Sequence, residues 1–351
     1  MLTSTYISTA SLSSETKASI ARIQQRLVDA QTELATGRHA DVGLTLGAQT
    51  GVAVSLRQDI AQIQSIKDTN SIVLTRMQGS QAALNTLATT SQTFLNALTP
   101  AQSDNTISGT ILQQAQAAMQ SLQDQLNSSL DGQYLFAGIN SDVKPLDDFF
   151  GNPPPASAQA VQAAFTAKFG MSPDDPNVSS ISASDMQDFL NNEFADLFSD
   201  ANWSANWSGA SDKPVNSRIS RTETANTSVT ANDNTFRQLT EAFTMVAGLG
   251  FQNLNNATQK VVMQQATQIV SNGIGGLTKV QSFLGVTQQR VSDANDQIDT
   301  QVDFLNKSID GLESVDSAEV TTQISDLSTA LEAAYAVTNR LSNLSIMDFL
   351  K

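Results

Sequence analysis

Residues 60–98 read IAQIQSIKDTNSIVLTRMQGSQAALNTLATTSQTFLNAL. Within them Ile63, Ile66, Asn70, Val73, Met77, Ser80, Leu84, Leu87, Ser91, Phe94 and Leu98 step by three and four in alternation, and eight of these eleven are apolar. That period is the stripe of a helix laid against other helices. No proline or turn dipeptide interrupts residues 51–99, so the spacing predicts one helix of about 48 residues, roughly 70 Å long at about 1.5 Å per residue. Such a rod cannot bury its stripe alone, and both ends of the chain offer partners.

At the N-terminal end Ile20, Ile23, Leu27, Ala30 and Leu34 repeat at three and four, and Gly37 ends the run as a helix C-cap. Near the other end Val320, Ile324, Leu327, Leu331, Ala334 and Leu341 form a matching seam. These two seams carry small side chains and are marginal as an isolated pair, so they are expected to order fully only when subunits stack.

The order of segments predicts a mainly α fold: a long antiparallel helical bundle or coiled coil made by both ends, a small β-hairpin and an inserted α+β middle domain. Residues 1–48 form the N-terminal seam with its glycine-rich loop, and residues 49–145 the long-helix bundle with a hairpin. In the latter a third helix, capped at Asn105 or Thr106, carries Ile111 to Leu130, and Asp131-Gly132 opens the hairpin. Residues 146–214 hold both tryptophans and most of the prolines, and read as an exposed, outward-facing insert with helices over 156–169 and 184–198, the second capped by Ser184 or Asp185. Residues 215–312 return with strands that pair with the first hairpin, then a helix headed by Asp233, another over 256–270, and a rod resuming beyond Gly276. Residues 313–351 are the C-terminal seam.

Charged residues make up only 15% of the chain, against about 25% in ordinary soluble domains. An extended surface so poor in charge points to burial against neighbouring subunits. The net charge of −15 offers no basic patch for phosphate backbones, which excludes nucleic acid as a partner. No window reaches the roughly 18 apolar residues of a membrane span, so no membrane insertion is expected, and the N-terminus lacks a basic start followed by an apolar core. Cysteine is absent, and with it disulfides and thiolate chemistry.

A single histidine, His39, permits no two-histidine metal site and is expected to be a solvated loop residue. Asp147-Asp148 and Asp174-Asp175 lack calcium-loop spacing, and the Asn202 and Asn206 sequons are short chance matches. Catalytic, cofactor and metal residues are accordingly expected to be none, and the chain is not expected to be an enzyme.

Four stretches carry a resemblance. LATGRHADV follows the first seam; DGQYLFAGINSDVKP spans Asp131 to Pro145; SVTANDNTFRQL spans Ser228 to Leu239; and LSNLSIMDFLK closes the chain. Together they resemble the flagellin superfamily, and the signature Tyr134, Leu135, Phe136, Ala137 and Gly138 resembles that of its hook-filament junction branch, the hook-associated protein 3 type. The resemblance implies a structural adaptor of the bacterial flagellum, located outside the cell and exported unfolded by the type III pathway without a signal peptide. Its implied partners are itself in a ring, the hook-side junction protein, flagellin, and a cytoplasmic export chaperone on the C-terminal helix. A filament subunit of flagellin type, and a secreted translocator or other coiled-coil interaction protein, stay open as alternatives.

Overall fold

The computed structural model describes the backbone of residues 9–101 and 108–349 and the side chains of residues 14–99 and 109–340. The caps foreseen at Asn105 and Thr106 lie outside the described residues. The fold is mainly α, with long helices packed together and two small antiparallel hairpins. It divides into two compact units, one built from residues 1–64 and 299–351 and the other from residues 65–298.

In the first unit helix α1 (Thr9–Thr36) lies along helix α10 (Ser317–Phe349). Gly37 follows α1 at φ 70°, as its reading as a C-cap required. A short helix α2 (Val42–Leu46), capped by the Asp41 side chain through the Leu44 N–H at 2.8 Å, leads into α3 (Thr50–Ala101). Helix α3 is 52 residues long and unbroken, as its period demanded. Every stripe position from Ile63 to Leu98 is buried except Ile66, which is half-buried.

The second unit holds the large core. Helix α4 (Ser108–Leu126) buries Ile111, Ala115, Ala118, Leu122 and Leu126. It stops before Leu130, which stands instead in strand β1 (Ser129–Leu130), paired with β2 (Gln133–Tyr134). Asp131 and Gly132, at φ 51° and 78°, form the tight turn between them, where the primed turns of two-residue hairpins need positive φ. The hairpin is thus shorter than the sequence suggested. The return strands β3 (Asn216–Arg218) and β4 (Thr224–Asn226) pair with one another and form a sheet separate from β1–β2.

In the middle segment helix α5 (Ala156–Phe169) matches its sequence bounds. The next helix starts earlier than expected: α6 (Ala183–Phe189) is capped by Ser182 through the Asp185 N–H at 3.1 Å, then loosens into a π turn over Leu190–Phe194. Helix α7 (Asp200–Asn206) was not foreseen. Most of the aromatic residues here are not exposed, Phe150 being the exception at 37%. Phe165, Phe189, Phe194, Phe198, Trp203 and Trp207 are buried in the same hydrophobic cluster as Leu84, Leu122 and Phe243. Apolar area of that size, worth roughly 1.5–3 kcal/mol per large side chain, fastens the segment to the helices beneath it.

Asp233 caps helix α8 (Asn234–Ala247) through the Thr235 N–H at 2.8 Å. The largest departure follows. The two helices expected on either side of Gly276 are one, α9 (Asn256–Glu313), 58 residues long. Two of its glycines are packing positions rather than breaks: a Cβ at Gly273 would fall 2.6 Å from Leu239 Cδ2, and one at Gly276 would fall 2.6 Å from Thr235 Oγ1, both on α8. Gly275, between them, faces open space.

These neighbours should respond oppositely. Gly275→Ala removes only the conformational cost of glycine in a helix and is expected to stabilise by up to about 1 kcal/mol. Gly276→Ala gains the same propensity but overpacks Thr235, with an expected net loss of about 1–2 kcal/mol. Urea unfolding of the two variants beside the parent protein measures both.

Candidate assembly site

The sequence pointed to two sets of residues, the terminal seams and the signature loop. On α1, Ala30 is buried, Ile20, Ile23 and Leu27 are half-buried, and Leu34 is 41% exposed. On α10, Val320 is buried while Ile324, Leu327, Leu331 and Ala334 are half-buried. The side chain of Leu341 lies outside the described residues. The helices are joined by a hydrogen bond from Gln24 Nε2 to Tyr335 Oη at 2.8 Å. A two-helix pair covers one flank of each seam and leaves the other to solvent, which is what the half-burial reports.

Sequence reading missed the apolar residues off the seams. Val28, Tyr335 and Val337 are each about half exposed, and Phe304 on α9 and Leu44 in α2 are 68% and 83% exposed. Their signal was present as apolar side chains out of phase with the stripe, on helices otherwise rich in Gln, Ser, Thr and Ala. Among the described residues the buried apolar set of this unit is small: Ala30, Ala53, Ile63, Ile309 and Val320.

The turn between α9 and α10 is tied to the loop after α1. Val315 N–H donates to the Gly37 carbonyl at 3.1 Å and His39 N–H to the Glu313 carbonyl at 3.0 Å. The Glu313 carboxylate is buried, with Oε2 2.7 Å from Arg57 Nη2 and 3.7 Å from Arg38 Nη1, while Arg38 also reaches Asp310 at 3.4 Å. Charge-assisted pairing of this kind offsets the desolvation of the carboxylate. His39 is not the solvated loop residue expected; it is half-buried, with Nδ1 3.5 Å from Glu33 Oε1.

The signature loop is structural. Leu135, Phe136, Ala137 and Gly138 are buried, and Tyr134 is half-buried. Ala231 N–H donates to the Phe136 carbonyl at 2.7 Å, Ser211 N–H to the Ala137 carbonyl at 2.9 Å, and Ile139 N–H to the Lys213 carbonyl at 3.0 Å. The Phe136 ring meets Phe236 edge-on with centroids 5.7 Å apart. The loop therefore clips the segment after α4 to the chain returning toward α8. Gly138 is required there: its φ is 63°, and a Cβ would stand 2.5 Å from the Lys213 carbonyl oxygen.

Among the described residues no group of three or more His, Asp or Glu side chains is placed to hold a metal, and no helix is long and apolar enough to cross a membrane. Burial pushes the Glu241 carboxyl, on α8, up to about 7. Asp148 and Asp175 accept backbone N–H groups of their own turns, from Phe150 and Asn177. The Asn202 amide donates to the Asp196 side chain at 3.1 Å.

Long helices that close on each other from the two ends of a chain, with a clip fastening an intervening segment, define a helical structural protein. Two models of one family match it: the bacterial flagellin N-terminal helical region over residues 7–141, and the bacterial flagellin C-terminal helical region over residues 267–350. Together they span more than half of the chain, which belongs to the flagellin family and is a flagellar structural protein. The first match includes the signature loop, whereas Ser228–Leu239 falls outside both. No curated relative matches the chain. Among solved structures it is similar to one described provisionally as a flagellar hook-associated protein from Vibrio parahaemolyticus, at 9% identity and a TM-score of 0.50, over 75% of this chain and 96% of that one. At that identity the likeness is one of fold.

Gly138→Ala combines a left-handed backbone with a clash against a carbonyl that cannot rotate away. It is expected to destabilise by about 2–4 kcal/mol, read as a lowered urea midpoint with an unchanged slope.

Proposed function

We propose that this chain is the adaptor at the hook-filament junction of a bacterial flagellum. It forms a ring with copies of itself, meets the hook-side junction protein on one face and flagellin on the other, and polymerises through its terminal helices. Export proceeds unfolded through the type III pathway, with a cytoplasmic chaperone holding the C-terminal helix until then. The observation that carries this reading is the half-exposed seam of α1 and α10 beside a sparse buried core. Each large apolar side chain covered on assembly contributes on the order of 1–3 kcal/mol, so stacking supplies the burial that a lone pair of helices lacks. A filament subunit is the second reading, favoured by the match to both flagellin helical regions. Deletion of the gene separates the two. An adaptor mutant still makes flagellin and sheds it as monomer, whereas a filament-subunit mutant has none to shed; electron microscopy of the deletion strain and of culture supernatants reads the difference.

Removing about the last 20 residues should leave a largely helical monomer that no longer joins the flagellum, because it takes away Ala334 and Leu341 from the C-terminal seam. Circular dichroism and immunoblots of isolated flagella test this, and incorporation of the shortened chain would contradict it. Leu27→Asp places a charge at a half-buried seam position. It should abolish assembly while lowering the monomer melting temperature by only a few degrees, on the order of a 1 kcal/mol effect. An equal loss in both measurements would refute coupled ordering.

A further inference from the structure

A cavity of about 360 Å³ lies in the second unit between α3, the signature loop and the β3–β4 hairpin. Its lining includes Arg76 together with uncharged groups, among them Gln133, Ser141 and Ser228. The Arg76 guanidinium donates through Nη1 to Gln133 Oε1 at 3.0 Å and through Nη2 to the Tyr134 carbonyl at 3.3 Å, both neutral acceptors. Five N–H donors arranged as a fork match a carboxylate better than any neutral group does, and two such bonds leave three donors over. Burial pulls this guanidinium below its ordinary value, and the through-space attraction of Asp131 offsets only part of that pull. The Ser228 hydroxyl accepts the Val215 N–H at 2.7 Å and keeps its own proton to donate. Outside the cavity, Ile72 sits one helical turn before Arg76 and is 61% exposed, and Ile139 of the lining is 56% exposed.

We propose that this cavity is a carboxylate-binding site, with Arg76 as the charged anchor and Ser228 as a second donor. A half-desolvated arginine with spare donors gains most from an anion that replaces lost water, and a planar carboxylate satisfies two N–H groups at once. The carboxylate comes either from a free small organic acid or from an Asp or Glu side chain of a second copy of this chain, which carries 34 acidic residues against 19 basic ones. The inference stands on this cavity alone and does not depend on the junction reading.

The test uses the full chain, labelled with 15N, and follows its arginine Nε–H and backbone amide resonances during titration with sodium acetate. Sodium chloride at matched ionic strength and the neutral isostere acetamide serve as controls. Acetate should shift the Arg76 Nε–H signal and the backbone amide signals of the lining residues Gly138 and Ser228 to saturation; read on those amides, affinity should be at least tenfold weaker in Arg76→Lys and saturation absent in Arg76→Gln. Unchanged spectra elsewhere establish that both variants are folded. A second arm adds unlabelled chain in place of acetate. Movement of the same signals, reversed by acetate, assigns the carboxylate to a second copy; a shift with acetate alone assigns it to a free organic acid. The proposal is overturned if chloride or acetamide reproduces the shift, or if Arg76→Gln still saturates.

Discussion

A helix of 52 residues with an apolar stripe along its length has nothing of its own to cover that stripe, and this constraint governs the rest of the fold. The chain answers by returning: α4 and α8 pack into the large core with Leu84 and Phe94, and Phe243 meets the Phe94 ring edge-on at 5.3 Å. Helix α9 comes back beside α3, close enough for Gln81 Nε2 to donate to the Gln281 carbonyl at 2.8 Å. The stripe is not uniformly apolar. Asn70 is fully buried and donates to the Ile219 carbonyl at 2.9 Å and to Asn295 Oδ1 at 2.7 Å. The Asn70 amide nitrogen is paired while its Oδ1 is buried without a partner, and sliding α3 past α9 would strand the nitrogen as well, which disfavours such sliding.

The second organising feature is the clip. A middle segment rich in proline and polar residues could have hung from the helices as a loose loop. Instead the signature loop grips the returning chain through three backbone hydrogen bonds, Gly209 N–H reaches the Pro145 carbonyl at 3.0 Å, and the aromatic side chains of α5 to α7 extend the core. Gly250, at φ 64°, lets the backbone before α9 press against Pro173 so closely that no side chain fits between them. The family matches end at residue 141 and resume at 267, so this fastening belongs largely to the part of the chain they do not describe.

Where residue period alone decided the structure, the sequence was readable. The unbroken α3, the Gly37 cap, the Asp233 cap and the turn at Asp131-Gly132 all follow from local rules that tertiary packing had no reason to override. Reading failed where a residue's neighbour mattered more than its propensity. Gly273 and Gly276 look like helix breakers until Leu239 and Thr235 are seen to fill the space of their missing Cβ atoms. The tryptophans at 203 and 207 sit among asparagines, serines and alanines, which disguised them as surface residues. Leu130 continued the period of α4, but the turn beside it prevailed. The two terminal apolar runs fall within α1 and α10, since heptad spacing is a one-dimensional signal. The cavity around Arg76 was invisible, since it draws on segments more than a hundred residues apart.

Both tryptophans of the chain belong to the middle segment, with ring centroids 5.6 Å apart and planes within 9° of parallel. Their emission is thus a local gauge. Fluorescence follows the loosening of that aromatic stack, while far-ultraviolet ellipticity is dominated by the long helices and is nearly blind to it. Any mismatch between the two denaturation curves would therefore resolve the molecule into parts that melt separately, with no label introduced.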